Sequence, residues 1–173
     1  MILVKLMHGL GNQMFQYAFG ESLKQRSSQP VKFHLGWYEK SKAWCDANGQ
    51  SEGCAIRDFA LQVFHNIHLE IASSEEVSAI EQRSWGGGRQ LFSKVAKRLK
   101  LSPIVKDWLG YYRTPQYYSC YEERMFDVKL TKDYCFEGYF QNERYFADVT
   151  AQIRGDFAFP PIDNIFNNIW AER

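Results

Sequence analysis

The stretch that decides the fold is "ILVKLMHGLGNQMFQYAFGESLKQRSSQPVKFHL", residues 2–35. Its first segment, Ile2–Met7, is short, apolar and followed by glycine, which is typical of a buried strand. Residues 13–25 have a helical repeat of apolar positions, and Asn12 before them is a favoured N-cap residue. Val31–Leu35 then alternates apolar and polar side chains, as a strand does. Strand, helix and strand in this order predict a βαβ unit and therefore a Rossmann-like parallel sheet with flanking helices, an α/β fold.

Later segments predict further elements of the same kind. Ser73 and Glu76 form a capping box for a helix that carries Val77 and Ile80. Tyr134–Phe140 predicts a further strong strand, followed by a helix with Asn142 as its cap and Pro160-Pro161 as its stop. The apolar stripe of that helix is Tyr145, Phe146, Val149, Ile153 and Phe157. Residues 36–53 and 85–90 are rich in glycine and polar residues and predict loops.

The 173-residue chain has the composition of a globular protein of one domain, or of one domain with an attached lobe. Its net charge of +1 argues against a dedicated nucleic-acid-binding protein. The four cysteines form no C-x-x-C pair and have no histidine at metal-ligand spacing. Four thiols suit a reducing compartment, with disulfides as the open alternative. Met1–Leu6 is too short for a signal peptide and no stretch reaches the ~20 apolar residues of a membrane span, which predicts a cytoplasmic protein.

Two amphipathic segments have no obvious packing partner. Residues 91–101 combine one apolar side with several basic residues. A solvated surface helix is the plainer interpretation, and peripheral contact with the inner membrane face, toward a lipid-linked or lipopolysaccharide acceptor, is the sharper one. Residues 162–170 form an apolar stripe that runs to Arg173 with no element after it. This predicts a chain that stops before its architecture is complete.

The loop after the first strand contains Gly9 and Gly11, a G-x-G pair where a strand feeds a helix. Free backbone N–H groups and the helix dipole make such a junction an anion site. A dinucleotide fingerprint is disfavoured because its third glycine falls on Met14 and because no acidic residue ends the second strand. The carboxamides of Asn12 and Gln13 either contact hydroxyls and phosphate oxygens of a ligand, or serve as a cap and a solvated side chain.

Three blocks of the sequence carry a more specific signal. They are "HGLGNQMFQYAFGESL" at residues 8–23, "RDFALQVFHN" at 57–66 with "ASSEEV" at 72–77, and "FEGYFQNERYFADVTAQIRGDFAFP" at 136–160. In this order they resemble the bacterial type of the alpha-1,2-fucosyltransferase family, glycosyltransferase family 11. The resemblance implies a GT-B-like fold of Rossmann-type lobes, of which residues 1–173 form the N-terminal lobe and residues 36–133 a variable middle region.

The same resemblance implies inverting transfer of L-fucose from GDP-fucose to the 2-hydroxyl of a galactoside acceptor, in surface glycan or lipopolysaccharide synthesis, without a metal ion or other cofactor. The family's H-x-R-R-x-D motif, to which stabilisation of the leaving pyrophosphate is attributed, does not occur in this sequence. We therefore expect the C-terminal donor-binding lobe to be absent and this chain to bind GDP-fucose weakly and turn it over little. The alternative is a non-catalytic remnant that binds a glycan or a partner.

By resemblance, the donor or substrate cleft falls on Gly9, Gly11, Asn12, Gln13, Gln16, Tyr139 and Gln141. Tyr139 and Phe140 are adjacent on the predicted strand, so only one of them can face a cleft. The catalytic base stays unassigned, since Asp58, Glu137 and Glu143 are more commonly solvated or ion-paired carboxylates. His8 stands where the family has glycine, and it is either a general base or an ordinary polar neighbour of the loop.

Overall fold

The computed structural model describes residues 1–48, 56–85, 111–113, 121 and 133–159. Within them lie the strands β1 (Ile2–Lys5), β2 (Val31–His34), β3 (Tyr111–Arg113) and β4 (Tyr134–Glu137). The α-helices are α1 (Leu10–Arg26), α2 (Gly36–Asn48), α3 (Ser74–Trp85) and α4 (Thr150–Asp156). Single 3₁₀ turns occur at Leu61–Val63, Glu143–Tyr145 and Ala147–Val149. The predicted α/β class is confirmed.

The strands pair in parallel in the order β2-β1-β4-β3, so β1 is an inner strand. Ile2 pairs with Val31 on one side and with Tyr134 on the other. A strand that is buried on both faces needs an unbroken apolar run, which is what β1 provides. The chain runs from β1 to β2 on one side and later places β4 on the other side of β1. The predicted βαβ unit and parallel sheet are therefore confirmed.

Helices flank the sheet on both faces. Ile2 and Val4 belong to an apolar cluster that includes Phe19 of α1. Leu3, between them in the sequence, belongs to a second cluster with Val77 of α3. Successive side chains of a strand point to opposite faces, so α1 and α3 lie on opposite sides of β1. The capping box that begins α3 is confirmed by its two reciprocal hydrogen bonds, Ser73 N to Glu76 Oε2 at 2.9 Å and Glu76 N to Ser73 Oγ at 3.2 Å.

Helix α1 begins three residues before the predicted start, and Gly9 is its N-cap residue. Asn12 lies in the first helical turn, so the prediction that Asn12 caps the helix is wrong. The physical reason is that Gly9 adopts the extended backbone of an N-cap, with φ of −79° and ψ of 171°. Its carbonyl accepts the first helical bond, from Gln13 N at 3.1 Å.

The predicted loop over residues 36–53 is wrong for residues 36–48, because these form α2. Glu, Lys and Ala supply helix propensity there, although the apolar pattern is weak. Glycine at position 36 allows the helix to begin close to the preceding strand, since a Cβ there would lie 2.5 Å from Cε1 of His34. Cys45 of α2 is disulfide-bonded, which is the alternative that the sequence left open, and the side chain of Cys135 in β4 is buried.

The strand predicted over Tyr134–Phe140 ends at Glu137, because Phe140 has a φ of 52° that no strand adopts. Asn142 is confirmed as a cap, since its Oδ1 accepts a hydrogen bond from Arg144 N at 3.1 Å. The helix that follows is broken into two 3₁₀ turns and α4, because Phe146 between the turns has a non-helical φ of −142°. The predicted apolar stripe nevertheless packs on the main core cluster: Tyr145, Val149 and Ile153 are buried, and Phe146 and Phe157 are partly buried.

Among the described residues, no helix has the length and apolar character needed to cross a bilayer. The predictions made for residues 49–53, 86–101 and 160–173 concern parts of the chain outside the described residues. They include the basic amphipathic segment 91–101 and the apolar segment 162–170.

Candidate functional site

The candidate site lies beyond the carboxyl ends of β2, β1 and β4. In a parallel sheet, ligands bind at the crevice where the chain leaves neighbouring strands in opposite directions. Here that point falls between β1 and β4, because β2 follows β1 on one side and β4 pairs with it on the other. The segments concerned are His8–Gly9 after β1, Trp37–Tyr38 in the first turn of α2, which follows β2, and Tyr139–Gln141 after β4. Three segments remote in sequence thus meet at one edge of the sheet.

The glycines of the first loop leave open space beside the start of α1. No described atom lies within 4 Å of a Cβ built on Gly9 or on Gly11. The backbone of Gly9 is also one that any residue adopts, so neither packing nor strain within the described residues explains the glycine there. The first turn of α1 has no acidic residue and no side-chain cap among the described residues. Its first N–H groups, which no described side chain caps, therefore suit an oxygen-rich ligand.

Two predicted site residues are brought into direct contact. Nε2 of Gln141 donates a hydrogen bond to Oδ1 of Asn12 at 2.7 Å, which joins the loop after β4 to the first turn of α1. Both side chains are partly exposed. The bond uses one oxygen and one nitrogen, so the pair still offers the Asn12 amide as donor and the Gln141 oxygen as acceptor. A donor beside an acceptor is the pattern that binds neighbouring hydroxyls.

Gln13 is fully buried and holds the loop rather than lining it. Its Nε2 donates to the carbonyl oxygens of His8 at 2.8 Å and Asp58 at 3.0 Å. Its Oε1 accepts a hydrogen bond from Ala60 N at 2.9 Å. Gln13 therefore fixes the first loop to the segment that begins at Arg57.

Gln16 is also fully buried and connects the ends of two strands. Its Oε1 accepts from Met7 N at 2.9 Å and its Nε2 donates to the Gly138 carbonyl at 3.0 Å. The carbonyl and N–H groups left free where β1 and β4 end would otherwise be buried without partners. Gln16 thus positions the site without reaching a ligand from its present location.

His8 lies at the centre of a ring cluster at the mouth of the site. Its Nε2 lies 2.8 Å from the hydroxyl oxygen of Tyr139. Its ring centroid lies 5.2 Å from that of Tyr139 and 4.5 Å from that of Trp37. The backbone of His8 has a φ of 66°, a left-handed conformation that favours glycine. Hydrogen bonds to its carbonyl from Gln13 and from the Tyr38 hydroxyl hold the residue there.

Charges around the site are partly neutralised. Burial lowers the pKa of His8 below its ordinary 6.5, and the positive charge of Arg57 lowers that pKa further. His8 is therefore neutral at physiological pH. Glu137 forms an ion pair with Lys5 at 2.9 Å, and both side chains are mostly buried. Asp58 and Glu143 are exposed, so none of these three carboxylates stands out as a base.

The structure therefore divides the predicted site residues into two groups. Those placed at the open crevice are Gly9, Gly11, Asn12, Tyr139 and Gln141. The buried positions Gln13 and Gln16 lie beneath it. Trp37, Tyr38 and Arg57 also lie at or near the site, and the sequence analysis did not single them out. Trp37 and Tyr38 lie within four residues of the end of β2, and this position near a strand's carboxyl end was the signal available.

Within the described residues, no group of three or more histidine, cysteine or acidic side chains is arranged to hold a metal ion. No family model, curated protein or solved structure matches the chain.

Proposed function

We propose that this chain is the N-terminal lobe of a galactoside alpha-1,2-fucosyltransferase of GT-B-like fold, which uses GDP-fucose as donor. The observation that carries the proposal is that the three blocks resembling that family contact one another around the start of α1. Gln13 of the first block bonds the backbone at Asp58 and Ala60 of the second. Asn12 of the first block bonds Gln141 of the third. Random matches scattered over a chain have no reason to meet in this way.

The chemistry of the crevice fits a neutral sugar attached to a phosphate. The N–H groups at the start of α1, which no described side chain caps, suit phosphate oxygens, and the carboxamide pair of Asn12 and Gln141 suits sugar hydroxyls. In the proposed reaction the 2-hydroxyl oxygen of the galactoside bonds to C1 of fucose, the bond from C1 to the GDP oxygen breaks, and the hydroxyl proton passes to solvent water. Negative charge then grows on the departing phosphate, where a helix N-terminus is favourable.

The proposal is tested by ligand-observed NMR saturation transfer with GDP-fucose and, for comparison, UDP-glucose. We expect saturation of the fucose methyl group with weak, millimolar affinity, and a much smaller signal from UDP-glucose. Slow formation of the 2-linked product from lactose is the matching activity readout. Absence of any GDP-fucose signal at millimolar ligand would contradict the proposal.

A pair of glycine variants localises the binding. Gly9→Val fills the open space beside α1, while Gly155→Val fills equally open space in α4, on a different element. Both variants are expected to fold, because neither new side chain meets a described atom within 4 Å of its Cβ. We expect GDP-fucose binding to be lost in Gly9→Val and kept in Gly155→Val. Equal binding by both would place the ligand elsewhere.

The alternative function, a non-catalytic remnant that binds glycans, makes a different prediction in the same experiments. A remnant of this kind binds a galactoside but neither GDP-fucose nor GDP. Cytoplasmic location and peripheral membrane contact through residues 91–101 stay predictions, to be tested by fractionation of cells that express the chain.

A further inference from the structure

Three partly exposed rings converge at the site, one from each of three adjacent strand ends. His8 follows β1, Trp37 follows β2 and Tyr139 follows β4. The rings lie 4.5 and 5.2 Å apart between centroids, and the hydrogen bond between His8 and Tyr139 fixes two of them. Parallel pairing of β2, β1 and β4 brings these loops together, although the rings are up to 131 residues apart in sequence.

These rings differ from the aromatic residues that fill the core. Phe19 and Phe140 stack at 4.0 Å with planes 12° apart and are both buried. The ring of Trp37 is tilted by 42° against His8 and stands edge-on, at 88°, to Tyr38. Trp37 therefore has no parallel partner among the described rings, and part of its surface is exposed. Core packing does not require a partly exposed aromatic surface at this position, whereas ligand sites commonly contain one.

We propose that Trp37, supported by His8 and Tyr139, binds the apolar face of a galactoside and so forms the acceptor subsite. The identity of the sugar rests on the proposed function, whereas the ring surface itself does not. An indole ring is poorly suited to bind phosphate, because it carries only one N–H donor. A pyranose presents C–H groups on one face and hydroxyls at its edge. The ring cluster matches that apolar face.

The stereochemistry of galactose makes the match specific. Its axial 4-hydroxyl leaves the C–H groups of carbons 3, 4 and 5 together on the opposite face. In glucose the equatorial 4-hydroxyl turns the hydrogen of carbon 4 to the other side and breaks this apolar patch. A flat indole surface therefore discriminates between the two sugars by the contact area that each can bury.

The test uses NMR saturation transfer from the full chain to methyl β-galactoside and to methyl β-glucoside. Trp37→Leu removes the indole, and Trp44→Leu is the matched control because Trp44 lies on the same helix and is 56% exposed. We expect wild type to saturate the protons on carbons 3, 4 and 5 of the galactoside. Trp37→Leu should weaken its binding roughly tenfold, and Trp44→Leu should change it by less than about twofold.

Several results would overturn the inference. They are no galactoside signal from wild type, equal signals from galactoside and glucoside, or equal losses in the two tryptophan variants. Far-ultraviolet circular dichroism checks that each variant is folded, and Trp37→Phe, which keeps a smaller ring, should give an intermediate affinity. GDP-fucose is titrated separately, so the two proposals fail distinguishably. Binding of GDP-fucose without the galactoside refutes only this inference, and binding of the galactoside without GDP-fucose refutes only the proposed donor.

Discussion

Helix α1 contains glycine and carboxamide residues in two different surroundings, one open and one packed. At Gly11 an added Cβ would meet no described atom within 4 Å, whereas at Gly20 it would lie 2.5 Å from the ring of Phe33. The carboxamide of Asn12 is partly exposed and bonds another side chain. The carboxamide of Gln16 is fully buried and bonds two backbone groups.

We call Gly9, Gly11 and Asn12 the open end of the helix, and Gln13, Gln16 and Gly20 its packed face. The open end leaves space and donors that the described residues do not use. The packed face fixes the helix to the strands and loops that carry the site. A glycine or a glutamine in this block is therefore understood only from its surroundings, and variants of the two groups should differ in what they damage.

The largest expected effect is that of Gln16→Leu on the packed face. The substitution leaves the N–H of Met7 and the carbonyl of Gly138 buried without their partner. Each unsatisfied group costs about 1–3 kcal/mol, so the free energy of unfolding should fall by roughly 2–6 kcal/mol. Urea denaturation followed by circular dichroism measures it. Gln25→Leu, an exposed position on the same helix, is the control and should change stability by less than about 0.5 kcal/mol. Similar values for the two variants would refute the role given to Gln16.

A smaller effect is expected from the paired variants Gly20→Ala and Gly11→Ala. The first forces the new methyl group into Phe33 and should destabilise the protein by about 1–3 kcal/mol. The second adds a better helix former in open space and should stabilise it by up to about 1 kcal/mol. Thermal unfolding of both proteins gives the comparison. Shifts of the same sign would remove the distinction between open end and packed face.

The smallest effect concerns Asp148, which holds the far part of α1. Burial by itself raises the pKa of Asp148, but hydrogen bonds from Arg26 and Ser22 outweigh it and leave the pKa below its ordinary 3.8. A lowered pKa means that the carboxylate stabilises the fold above pH 3.8 and that this contribution is lost as the pH falls further. Asp148→Asn should therefore be less stable than wild type at pH 7, by less than about 1 kcal/mol because the pair is solvent-exposed. The two stabilities should converge toward pH 2 in a pH series of urea unfolding curves, and a constant gap would contradict this explanation.

The sequence alone was sufficient for the parallel sheet because β1 and β2 carry strong local patterns. An unbroken apolar run and an alternating run on either side of a helical repeat leave little choice of fold. The capping box of α3 was equally local, since Ser73 and Glu76 bond each other. The start of α1 was misplaced because glycine at an N-cap is a weaker signal than the asparagine three residues later.

The candidate site was predicted in part. The open end of α1 could be predicted from the sequence, because glycines before a helix are typical of a site where an anion approaches the helix N-terminus. The roles of Gln13 and Gln16 depend on contacts with Asp58, Ala60 and Gly138, which are distant in sequence, so no local pattern separates them from Asn12. The sequence pattern predicts a loop at Trp37. Its position beside His8 depends on the register of β2 against β1, which no local pattern gives.

The central claim is that the open end of α1 serves a ligand and not the fold. Asn12→Ala tests it most directly, with GDP-fucose affinity by NMR titration and the free energy of unfolding measured on the same protein samples. We predict that affinity falls by roughly tenfold or more, because Asn12 and Gln141 no longer form the carboxamide pair. The free energy of unfolding should change by less than about 1 kcal/mol, because Asn12 is partly exposed and does not cap the helix. Unchanged affinity, or a loss of stability large enough to account for the loss of binding, would contradict the claim.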